Sequence, residues 1–151
     1  MKVPLVAPIG ALLLACAACS GGAVSPATLD TKNDTCSACR MTVSDRRLAA
    51  QVVAPGDEPR FFDDLDCLAR YLREHGLPGD AAVFVADHRT GEWIAATKAV
   101  YTRLRHAATP MASGLVAHAS PESRAADPWA IGGDPVAIDV VLAGRTEARS
   151  R

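Results

Sequence analysis

"RFFDDLDCLARYLREHGLPGDAAVFVA", residues 60–86, carries the fold in outline. Arg60 to Phe62 form an extended piece that runs into a helix, and either Asp63 or Asp64 can cap that helix by accepting from the unpaired N–H groups of its first turn. Leu65, Leu68 and Leu72 then recur at helical spacing, and Gly76 with Pro78 closes the helix. "AAVFVA" (81–86) is a short strand, and "DHRTG" (87–91) a turn. Upstream, "MTVSD" (41–45) and "LAAQVVA" (48–54) also read as strands. The first half is therefore β-β-α-β.

A similar order follows. "EWIAATKAVYTRL" (92–104) and "GLVAHA" (114–119) are extended, with the loop "RHAATP" between them. Ser120 as cap, Pro121 at the first helical position and Glu122 behind it start a helix that Pro128 keeps short. "VAIDVVLAG" (136–144), β-branched and apolar, reads as the strongest strand. The expected class is α+β: two small β-β-α-β subdomains, 35–91 and 92–144, each too small to be stable alone and so sharing a core. Phe61, Phe62, Trp93 and Tyr101 are expected in that core or in strand pairs, and Trp129 half-exposed. The repeat is one of element order, without convincing residue-level similarity.

Outside this body lie three polar or apolar segments. Residues 1–19, "MKVPLVAPIGALLLACAAC", have one cation at Lys2 and an apolar run too short to span a bilayer, which needs roughly 20 residues. They read as a signal peptide. "LLLAC", ending at Cys16, resembles a bacterial lipobox, with Cys19 as the alternative lipidation site; a plain secretory signal is the competing reading. Lipid on that cysteine would anchor the chain to a membrane. Residues 20–34, small, polar and Pro/Gly-containing, read as a flexible tether, and 145–151 as a polar tail. With 16 basic and 17 acidic side chains in 151 residues, nothing in the charge balance recruits nucleic acid.

The chemistry concentrates in "CSACRMTVSD" (36–45). If 39–43 is extended, Cys39 and Met41 project to one face, while Cys36 joins them only if "CSAC" turns. A thiolate beside a thioether is a soft pair suited to Cu(I). Structural zinc wants four Cys or His ligands, and His75, His88, His106 and His118 stand singly. A disulfide or a redox CxxC is the alternative, although a redox pair belongs at a helix N-terminus, and β-branched Thr42 and Val43 follow here. Cys67 reads as a buried apolar residue, and Asp63, Asp64 and Asp66 as a helix N-terminus, a group behind the ligands or a partner-facing patch. No nucleophile elbow or phosphate loop is present, so no enzyme activity is expected.

Taken in order, "CSACRMTVSD", "AAQVV", "RFFDDLDCLARYL", "GEWIAATKAVY", "TPMASGLVAHAS" and "AIGGDPVAIDV" resemble the NosL family of lipoproteins, accessory to nitrous-oxide reductase assembly. The resemblance implies an exported, periplasm-facing Cu(I) chaperone that supplies nitrous-oxide reductase or its copper-delivery machinery. It also implies two β-β-α-β subdomains similar to a domain of organomercurial lyase. The family's CxM motif falls on Cys39 and Met41, the expected primary ligands; Cys36, Met111 and His118 are the further candidates. This chain departs from the family pattern at Arg40 and Ala112, where glycine is common, and at His118, where an aromatic is usual. The rival classes are a membrane-anchored thiol-disulfide reductase using Cys36 and Cys39, and a non-metal assembly scaffold.

Overall fold

The computed structural model describes residues 23–106 and 108–143, so the signal segment with Cys16 and Cys19 and the tail from 145 lie outside the described residues. Strands β1 (Ala50–Val53), β2 (Arg60–Phe62), β3 (Ala82–Ala86) and β4 (Trp93–Ala95) form an antiparallel sheet in the order β2-β1-β3-β4. Between β2 and β3 runs helix α1 (Leu65–His75). Asp64 is its N-cap and Gly76 its C-cap, with a φ of +71° that suits glycine. Leu65, Leu68 and Leu72 are buried with Cys67 and Ala69, the apolar stripe expected of a helix lying on a sheet.

A second antiparallel sheet, in the order β6-β5-β7, is built from β5 (Val100–Arg103), β6 (Leu115–His118) and β7 (Asp134–Val136). Helix α2 (Pro121–Ala125) starts at Ser120, whose hydroxyl accepts from the Ser123 N–H, and ends before Pro128. Phe62, Leu68, Leu72 and Val85 from the first part share one apolar cluster with Tyr101, Leu115, Ala117 and Val141 from the second. Between the sheets, Asp87 and Ala117 form an isolated parallel bridge, and the His88 N–H donates to the Ala117 carbonyl at 2.8 Å.

Four expectations need correction. Residues 41–45 form no strand; Thr42 makes only an isolated bridge with Thr35. The segment 92–104 breaks into β4, a 3-10 turn at Ala96–Lys98 and β5, and β4 pairs with β3, so the first sheet extends past residue 91. Helix α3 (Ile138–Leu142) replaces the strand expected over 136–144. β7 pairs only its three residues with Tyr101–Arg103, while β6 holds the other side of β5. The chain then turns at Ala137, and α3 buries Val141 and Leu142 while packing on α1. Finally, the expected tether is docked from Ala27 on: Gln51, fully buried in β1, pairs with the Ala27 backbone through both amide atoms (2.7 and 3.2 Å), and Leu29 is buried.

Candidate metal centre

Residues 35–42 form a tight loop and not an extended strand. Thr35 and Thr42 bridge across its base, the Cys36 N–H donates to Met41 O at 2.7 Å, and the Arg40 N–H returns to Cys36 O at 2.9 Å. Closing this turn places Arg40 at a φ of +69°, a left-handed conformation that costs a side chain with a Cβ roughly 1–2 kcal/mol. "CSAC" therefore does turn, which is the condition for Cys36 to join Cys39. The loop is pinned to β2 by a parallel bridge between Cys36 and Phe61 and by the Ser37 N–H donating to Phe61 O at 2.8 Å.

That pinning assembles the site, because β2 runs directly into Asp63, Asp64 and the first turn of α1. Cys36, Cys39, Asp63 and Cys67 each present a donor atom, and these atoms lie within 4.8 Å of one another. Cys36 and Cys67 are fully buried, Asp63 nearly so, and Cys39 is half-buried at the outer edge. The Cys39 thiol lies 3.3 and 3.4 Å from the two Asp63 carboxylate oxygens. All three cysteines are free thiols.

Burial raises the Cys39 pKa above the ordinary thiol value, and the neighbouring Cys36 and Asp63 push the same way; the Met41 N–H, donating to the sulfur, opposes them. Cys67 is pushed up much further, again by burial first and then by Cys36 and Asp63. Without a cation these sulfurs are protonated near neutrality. A bound cation would replace their protons.

Met41 is about half exposed (52%), and Met111 is partly exposed. Met111 sits in the β5–β6 loop, which Asp64 ties to the start of α1. One carboxylate oxygen of Asp64 accepts from the Met111 N–H at 3.0 Å, and the other from the Ser113 hydroxyl at 2.6 Å and the Asp66 N–H at 2.8 Å. Ala112, between those two contacts, has a φ of +55°. Arg40 and Ala112 are thus both left-handed although neither is glycine.

His118 is fully buried but groups with His88 and Asp127 and not with the thiols. Cys67 is buried as expected, yet its sulfur belongs to the cluster, and Asp63 touches a thiol directly. Sequence reasoning passed over Cys67 because the helical stripe accounts for its burial. The signal available was its position three residues after the cap, at the end of the helix nearest the strand that holds Cys36.

Fold and donor set define the class: a small α+β protein with a cluster of three thiols and a carboxylate that could hold a metal ion. The chain belongs to the NosL family, whose model matches residues 26–139. NosL is a family of copper-binding accessory proteins and not a known enzyme family. Neither the curated proteins nor the solved structures gave a significant match to the chain. Among the described residues, no helix is long and apolar enough to cross a membrane.

Proposed function

We propose that the chain is a Cu(I) carrier, anchored through lipid on Cys16 (or Cys19), facing the periplasm, and supplying copper to nitrous-oxide reductase or its delivery machinery. The observation that carries this reading is the convergence of Cys36, Cys39 and Cys67 with Asp63 within 4.8 Å, in a member of the NosL family. Thiolates select Cu(I) over oxygen-loving ions. Copper is the cargo here and not a resident cofactor. Each thiol that takes it up surrenders a proton, and Cys39, with the exposed thioether of Met41 two residues on, is the donor an acceptor's soft ligand can reach. Exchange of sulfur ligands at this edge would pass the ion on without release to water.

The competing thiol-disulfide reductase would use the same CxxC. A nucleophilic thiol in such enzymes has a depressed pKa, whereas Cys39 is shifted upward and Cys36 is fully buried. The scaffold reading requires partner binding that is indifferent to the cysteines.

The test is titration of the reduced protein with Cu(I) against a chromophoric chelator. Wild type should retain one equivalent, Cys39→Ala should lose it, and Cys36→Ala should bind more weakly. Unchanged retention by Cys39→Ala, or rapid disulfide turnover with weak copper retention, would refute the carrier reading.

A further inference from the structure

His88, His118 and Asp127 form a second cluster, built where the two sheets meet. His88 lies in the turn after β3, His118 ends β6, and Asp127 caps the 3-10 turn Pro128–Ala130 by accepting from the Trp129 N–H at 3.0 Å. All three are at least nine-tenths buried. The second Asp127 oxygen lies 2.5 Å from His88 Nδ1 and 3.0 Å from His118 Nε2. Burial works to raise the Asp127 pKa, but the two imidazoles and the Trp129 N–H prevail and hold its carboxyl below the usual range, so it is an anion at neutral pH. His118 Nδ1 is buried and has no hydrogen-bond partner among the described residues. The network thus leaves one of its own nitrogens unsatisfied.

We propose that His88, His118 and Asp127 are the ligands of a second metal site, selective for a borderline divalent cation such as Zn(II) or Cu(II) and separate from the thiols. Two imidazoles and a carboxylate suit those ions, as thiolates suit Cu(I). A tetrahedral ion with bonds of about 2.0–2.1 Å holds its donors roughly 3.3 Å apart. The three donor atoms here already lie within 4.8 Å, and their two short edges need only open slightly as the ion takes the place of the shared protons. Coordination through His118 Nε2 leaves the remaining proton on Nδ1, where no acceptor waits, so the affinity is about 10–100-fold below that of a site whose imidazoles are all held from behind. Because the ligands come from both sheets, the ion would clamp the seam between them.

The full chain with all five cysteines replaced by serine isolates this site from the thiols. Titrated with Cu(II), it should give, at one equivalent, an axial electron paramagnetic resonance spectrum with coupling to two nitrogens, which Zn(II) erases. Zn(II) should also raise its thermal midpoint by several degrees. His118→Phe, which keeps a buried ring, should abolish both effects. Should the five-serine chain fail to fold, wild-type chain with its thiols first filled with Cu(I) serves for the same Zn(II) measurement. Absence of the two-nitrogen spectrum and of the Zn(II) shift, or their persistence in His118→Phe, would overturn the proposal. Failure here leaves the copper-carrier reading untouched, since that reading is scored on the thiols.

Discussion

Arg40 shows how a single residue bears on the cysteine loop. Its left-handed φ of +69° is imposed by the return of the Arg40 N–H to Cys36 O, so strain is held between the two cysteines and the methionine. Arg40→Gly would relieve that strain, offset in part by the greater freedom of glycine in the unfolded chain. The expected net gain is about 0.5–1 kcal/mol, read as a higher midpoint in urea with Cu(I) stoichiometry unchanged. A loss of stability would mean that the Arg40 side chain contributes more than the turn costs. At this scale the sequence was informative about identity and silent about direction. The spacing of Cys39 and Met41 singled out the loop, but the shared face rests on a strand that the turn at Arg40 excludes. Cys36, dependent on that turn, became one of the cluster's buried donors.

The N-terminus of α1 links the second sheet's loop to the thiol cluster. Asp64 does this with one carboxylate, capping the helix while holding Met111 and Ser113 of the β5–β6 loop. Asp64→Ala removes a cap worth about 1 kcal/mol and strands two donors, each costing about 1–3 kcal/mol where buried. Both contacts are only partly buried, so water recovers part of that cost, and a loss of about 2–4 kcal/mol is expected by chemical denaturation, with Asp64→Asn milder because it keeps an acceptor. A loss under about 0.5 kcal/mol would show that water replaces these bonds freely. Elements with local signals were legible: β1, β2, α1 and β3 lie where periodicity and caps put them, as does α2 behind Ser120 and Pro121. The segment from 136 was not, because its β-branched composition is the same whether or not a strand partner remains. The sheet runs out of paired length at Val136, and burial against α1 then decides for helix.

For the whole molecule, the buried thiols couple stability to both pH and metal. In the unfolded chain a thiol ionises near pH 8.5, whereas Cys39 and Cys67 are shifted above that value when folded. Their contribution is fully present below about pH 8.5 and is lost as pH rises from there through the folded pKa values, because only the unfolded chain can release the protons. The metal-free protein should therefore lose thermal stability between neutral and alkaline pH. Cu(I), which requires the thiolate form, should suppress that loss, and its apparent affinity should fall as pH is lowered. Replacing Cys39 and Cys67 with serine should flatten the alkaline decline, and a decline unaltered by this change would assign it to other groups. No local pattern reports that residues 36, 39, 63 and 67 converge, because it is the pinning of the loop to β2 that brings it to the helix. The α+β class could be read along the chain and the CxxCxM loop singled out there, but the four-donor cluster needed the fold.

The most direct measurement is copper-edge X-ray absorption on the protein carrying one equivalent of Cu(I). Cysteine thiolates at the 36–39–67 cluster predict a first shell of two or three sulfur atoms, reduced in number in the weaker-binding Cys36→Ala, with no copper retained by Cys39→Ala. A shell made chiefly of nitrogen and oxygen, or the same shell still retained by Cys39→Ala, would contradict the thiol site as the place where copper is held.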